Sequence, residues 1–265
     1  MSVDWKSLQL SACALALAGA SLLCGEPSRA AHAPRPAASQ AGPLELTAGS
    51  PARSELPAGH THTYRVVLEA NQYLRVVLEP SGASFVLTLY GPTGDTLARL
   101  NCRRGEPSAV SLVARAAGAH RLELRPAPKE SGGAYEVRIA EARPATPADR
   151  RRVAAERAFA EAEQLRAEWK VETRRRAVAK YEEARLLWNG CGEKPGEAAA
   201  LRAAGDAYQQ MGEPQTALTY YQQALELSRQ AGDTRGEVRA LNAAAGVDPQ
   251  NPDLETYRRR VAELP

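Results

Sequence analysis

From residue 43 to about 141 the apolar positions recur every second residue. Tyr64, Val66 and Leu68 alternate with Arg65, Val67 and Glu69, and Leu74, Val76 and Leu78 with Arg75, Val77 and Glu79. Phe85, Leu87 and Leu89 follow, then Val110 with Leu112, Leu122 with Leu124, and Tyr135, Val137 and Ile139. A period of two gives each segment one face for a core and one for water, as in an antiparallel strand. Turn residues stand between the runs: Ala70-Asn71, Gly91 to Gly94, Ala117-Gly118 and Ser131 to Gly133. Short strands at this spacing predict an antiparallel, jelly-roll-like β-sandwich over residues 43–141.

Near Arg143 the period changes to that of a helix. Thr146-Pro147-Ala148-Asp149 reads as a helix start, with Thr146 as N-cap, proline in the first turn and an acid three residues after the cap. Ala155, Phe159, Ala162, Leu165 and Trp169 then form one apolar stripe, and Ala177, Tyr181, Ala184 and Trp188 a second. Residues 190–196 read as a loop.

The helical part repeats itself at an offset of 40 residues. Ala177, Tyr181, Ala184, Leu187, Gly192, Gly196 and Glu197 recur as Ala217, Tyr221, Ala224, Leu227, Gly232, Gly236 and Glu237. Ala200, Leu201, Ala203 and Ala204 recur as Ala240, Leu241, Ala243 and Ala244. A fixed period in this range marks stacked helical hairpins, none of which buries its apolar face alone. Such arrays bind other proteins more often than they carry chemistry.

Leu201, Ala204, Gly205 and Tyr208 on one helix, with Ala217, Tyr221 and Ala224 on the next and Gly212 at the turn, resemble the tetratricopeptide repeat. A third hairpin departs from that pattern, with Ala245 where glycine is expected and Pro249 ending the helix early. Asn251-Pro252 restarts a short terminal helix with Leu254, Tyr257 and Val261. The strand region, through LEANQYLRVVLE, FVLTLYGPTGDTLA, AAGAHRLELR and GGAYEVRI, resembles the bacterial pre-peptidase C-terminal type of β-sandwich. The two in this order look like the N-terminal part of exported bacterial proteins that end in a caspase-like CHAT peptidase domain, without that domain. The resemblances imply a two-domain β + α chain: a non-catalytic sandwich, then a tetratricopeptide-repeat solenoid over 142–265.

The N-terminus adds a destination. Lys6 precedes a continuous run of apolar and small residues from Leu8 to Leu23, and Ser28-Arg29-Ala30 has the small residues a signal peptidase requires. Residues 1–30 read as a signal peptide and the Ala/Pro/Ser-rich residues 31–42 as a linker. The expected location is the periplasm or the exterior. The alternative is a membrane-anchored chain, through a retained leader or a lipidated Cys24. Removal of the leader leaves Cys102 and Cys191, one in each part, which make no disulfide framework.

The 265 residues carry a net charge of only +3, which argues against nucleic acid. The Arg150-Arg151-Arg152 and Arg174-Arg175-Arg176 triplets are flanked by acids such as Glu156 and Glu172 and read as solvated helix faces. His60 and His62, spaced to share a strand face, read as residues bordering the core, as does His120. No nucleophile elbow, zinc motif or phosphate loop occurs, so no catalytic residue, metal, cofactor or small-molecule substrate is expected. The expected functional surface is the concave face of the array. In the repeat pattern Arg202, Asp206, Gln209, Gln210, Arg239 and Asn242 line it, suited to a protein or peptide partner. The reading is a non-catalytic exported scaffold. One alternative is the regulatory part of a CHAT-type cysteine peptidase system whose catalytic half is separate. A second is a polysaccharide-binding sandwich, for which Tyr73 and Tyr90 are the aromatics placed on the polar side.

Overall fold

A computed structural model describes residues 44–168 and 170–248. The predicted leader and linker, Trp169 and the predicted terminal helix lie outside the described residues. Among the described residues, nine strands come first. β1 (Leu44–Glu45), β3 (His62–Leu68), β8 (Gly118–Pro126), β5 (Phe85–Tyr90) and β6 (Thr96–Cys102) form a five-stranded sheet in that spatial order. β2 (Ala52–Pro57), β9 (Gly132–Pro144), β4 (Gln72–Pro80) and β7 (Ser108–Val113) form a four-stranded one. Every pairing is antiparallel except β1 with β3.

The inner faces are those the alternation picks out. Tyr64, Leu74, Val76, Leu78, Phe85, Leu87, Leu89, Leu122, Leu124, Tyr135 and Val137 are buried in one cluster between the sheets. The period of two thus becomes two stacked sheets with an apolar centre. His120 shares this interior, with its Nδ1 3.2 Å from the Gly118 carbonyl. At the rim, His62 Nδ1 lies 2.5 Å from the Tyr135 hydroxyl, which in turn is 2.6 Å from that of Tyr64. Burial, and then the neighbouring His60, lowers the pKa of His62.

Five helices follow among the described residues: α1 (Pro147–Arg166), α2 (Val171–Asn189), α3 (Lys194–Gln210), α4 (Pro214–Ala231) and α5 (Thr234–Val247). They pack in sequence as antiparallel hairpins, a β-sandwich followed by a helical array of tetratricopeptide-repeat type. The loop expected over 190–196 is shorter, because α3 begins at Lys194 with Pro195 in its first turn.

The repeated small residues have a common cause. A Cβ on Gly205 would lie 2.6 Å from the Tyr221 ring, so α3 and α4 approach through that glycine. A Cβ on Gly196 would lie 2.7 Å from Trp188, and on Gly236 2.7 Å from Ser228 Oγ, one period later. Each hairpin therefore starts on the end of the previous one through a residue without a side chain. The recurring Glu197 and Glu237 are buried at these same joints. Glu197 accepts from Asn189 at 3.1 Å and Arg185 at 3.4 Å, and Glu237 from Arg229 at 3.1 Å.

Candidate functional site: the mounted helical array

The sandwich and the array are joined by polar contacts that begin at the strand-to-helix turn. β9 and β4 change register between Arg75 and Val76, and past that bulge β9 places Arg143 opposite Tyr73. The Arg143 guanidinium lies 4.9 Å from the centre of the Tyr73 ring and donates to Asp149 at 2.5 and 3.0 Å. Asp149, only 2% exposed, also closes the capping box with Thr146. The Arg143 hydrogen bonds, helped by Thr146 and opposed by burial, hold the Asp149 carboxyl well below the usual carboxylate range.

Two turns further, α1 lies on β7. The Ser111 amide and hydroxyl each donate to Glu156 at 2.8 Å, and the Tyr73 hydroxyl donates to Ser111 Oγ at 3.1 Å. Arg152 donates to the Tyr73 hydroxyl at 3.1 Å and, through its other amino group, to Glu193 just before α3. One arginine thus ties the sandwich to the second hairpin. Two sequence expectations are corrected here. Arg152 and Glu156 belong to an interface rather than a solvated face, and Tyr73 is fully buried beneath α1 rather than offered to a sugar. Their partners lie in β4 and β7, outside any local pattern. Arg150 also reaches the sandwich, donating to Asn71 Oδ1 at 3.3 Å, and Arg151 donates to the Gly190 carbonyl at 2.9 Å.

The predicted groove residues divide into three sets. Arg202 donates to Asp206 at 2.7 Å, and the Tyr221 hydroxyl sits 2.9 Å from Asp206 Oδ1 and 3.1 Å from Gln209 Oε1. These side chains are one preorganised cluster on α3, anchored by a buried tyrosine of α4. The second set is Gln210 and Asn242, whose residues are exposed. Arg239 stands apart, because it pairs at 2.8 Å with Glu106, in the turn between β6 and β7. α5 therefore touches the sandwich as α1 does.

Below that bridge is an open cleft of about 790 Å³ between the sandwich and the start of α5. Arg53 and Ser54 of β2, Glu136 of β9, Pro107 and Arg235 contribute to its walls. Sequence reasoning missed Arg235 and Glu106, since neither belongs to the repeat signature. On the outer face of the other sheet, the half-buried Tyr90 lies under Arg121, whose guanidinium is 4.4 Å from the ring centre. That ring is therefore covered too.

Cys102 is buried, and burial pushes its thiol up to about 11. Cys191 is half-buried, its thiol also raised by burial. Among the described residues no group of three or more His, Cys, Asp or Glu side chains is placed to hold a metal ion, and no helix is long and apolar enough to cross a membrane.

Residues 159–230, from the middle of α1 to the end of α4, match the family model of the tetratricopeptide repeat. No curated protein matches the chain. Among solved structures, the chain is similar to PliG of Aeromonas hydrophila, a periplasmic inhibitor of g-type lysozyme. That match has 13% identity and a TM-score of 0.30, covering 36% of this chain and 94% of that one. It is also similar to the pre-peptidase C-terminal domain of a collagenase from Bacillus anthracis. Here the identity is 15% and the TM-score 0.28, with 36% of this chain and 92% of that one covered.

Proposed function

We propose that this chain is a non-catalytic, exported scaffold that holds a protein partner on the first-helix face of its array. The observation that carries the reading is the α3 cluster: Arg202, Asp206 and Gln209 are held in place by Tyr221 on a helix within the matched repeat. A preorganised row of donors and acceptors costs little side-chain entropy when it meets a polypeptide. Asn242 extends the row onto α5. Export rests on the leader read in residues 1–30, and places the work in the periplasm or outside the cell.

The test is retention. Immobilised protein beginning at residue 31 is expected to hold one or more defined proteins from a periplasmic extract. The double variant Arg202→Ala with Asn242→Ala is expected to lose them while keeping its helical circular dichroism. Equal retention by the variant would remove the groove from the reading.

A further inference from the structure

We propose that the partner's groove has two walls, the array on one side and the four-stranded sheet on the other, and that it takes an extended polypeptide segment carrying a carboxylate. This rests on the function proposed above and adds the sandwich and the partner's chemistry to it. Four observations converge. The first is position: the cleft of about 790 Å³ opens between β2, β9 and the first turn of α5, and that size is typical of a ligand site. The second is mounting. α1 is fixed to β7 through Ser111 and Glu156, and α5 reaches the turn before β7 through Arg239 and Glu106. The first and last described helices of the array thus hold the same sheet, and a chain lying on one wall meets the other.

The third observation is an open edge. β2, which supplies Arg53 and Ser54 to the cleft, pairs with β9 alone among the described residues. An edge strand presents free N–H and C=O groups, and an extended segment can add to it by main-chain hydrogen bonds. β2 has six residues, so it can pair about 20 Å of extended chain. The fourth is charge. Arg53 is paired with Glu136 at 2.6 Å, Glu79 with Arg138 at 3.5 Å, and Glu106 with Arg239. Arg235 lines the same cleft without an acidic partner among the described residues. Of the charged lining residues, Arg53 and Glu136 pair with each other and Glu79 pairs with Arg138 outside the cleft, so Arg235 is the charge left for a ligand carboxylate, in the geometry a guanidinium prefers. A neutral sugar fits poorly. The aromatic ring at the cleft, Tyr135, is buried, and its hydroxyl is already engaged with Tyr64 and His62, so no face is free for stacking.

The experiment is site-specific photo-crosslinking of the full chain in the producing cells. Benzoylphenylalanine is placed at the exposed Ala134 of β9 on the sheet wall, at Asn242 on the array wall, and at the exposed Leu186 of α2 as a control. The expected result is one partner segment captured from both Ala134 and Asn242 but not from Leu186, containing Asp, Glu or a C-terminal carboxylate. A synthetic peptide of that segment is then expected to bind the purified chain and to bind Arg235→Glu about tenfold more weakly or worse. That substitution adds an acid to the first turn of α5, which the helix dipole favours, so folding is retained. Capture from Asn242 alone would overturn the two-walled groove and leave the proposed function standing, and capture from neither site would sink both. Crosslinks to residues 1–43 or 249–265 of the chain itself would also overturn the proposal, as would a peptide indifferent to Arg235→Glu.

Discussion

Removing the Glu156 carboxylate tests whether the sandwich and array are joined as described. Glu156 accepts from both the amide and the hydroxyl of Ser111, whose residue is only 4% exposed. In Glu156→Ala the Ser111 amide keeps no partner, and a buried unmet donor costs about 1–3 kcal/mol. Glu156→Gln keeps an acceptor for the amide and offers its NH₂ to the hydroxyl, so its cost near neutral pH is expected to be small. Acid separates the two further. Burial raises the Glu156 pKa above its ordinary 4.5, against the Ser111 hydrogen bonds and the charges of Arg75 and Arg152. The folded chain thus binds this proton more tightly than the unfolded chain does. The associated stability is fully present below pH 4.5 and is lost as pH rises through the folded value. Glutamine does not titrate, and the other carboxylates are common to both proteins. The wild type should therefore lose stability relative to Glu156→Gln as pH rises from about 4.5. Urea unfolding of both variants and the wild type between pH 4 and 8, followed by circular dichroism, measures this. A wild type that gains on Glu156→Gln over that range, or a Glu156→Ala variant as stable as wild type, would refute the reasoning.

Three further outcomes are expected. Asp149→Asn should cost about 1.5–3 kcal/mol at neutral pH, the scale of hydrogen bonds to a charged group. Because the folded Asp149 pKa is depressed, that cost should shrink progressively as pH falls from the ordinary 3.8 toward the lower folded value, read as urea midpoints that draw together. Gly205→Ala should destabilise by about 1–3 kcal/mol through overpacking against Tyr221, offset by about 0.5–1 kcal/mol of helix propensity. The same change at Gly246, where the nearest atom is 3.9 Å from the new Cβ, should be neutral or stabilising by thermal melts. Maleimide should label Cys191 of native protein beginning at residue 31 well before Cys102, and equal labelling rates by mass spectrometry would contradict the burial of Cys102.

The alternation of apolar residues was enough to find the strands whose faces are fully buried, such as β4 and β5. It passed over β2 and β6 because those edge strands bury few of their side chains, and half-exposed alternation leaves little contrast. The helical repeat was legible for the same reason: tight hairpin joints demand small residues at fixed places, and Gly196, Gly205 and Gly236 answer that demand. The capping box at Thr146 was equally local. What could not be read was the union of the two parts. Arg152 and Glu156 resemble any charged pair on a helix, and their partners Tyr73 and Ser111 lie in strands 79 and 45 residues away. The candidate groove divides along the same line. The Arg202–Asp206–Gln209 row follows from helical spacing, while the pairing of Arg239 with Glu106 depends on how the array curves back to the sandwich.

The central claim is that the first-helix face of the array holds a protein partner. Its most direct measurement is calorimetric titration of the retained partner into wild type, Arg202→Ala with Asn242→Ala, and Leu186→Ser on the exposed side of α2. Loss of two polar contacts, each worth about 0.5–1.5 kcal/mol, predicts a Kd raised about tenfold in the double variant and unchanged in Leu186→Ser. A double variant that binds as tightly as wild type, or a larger loss in Leu186→Ser, would contradict it.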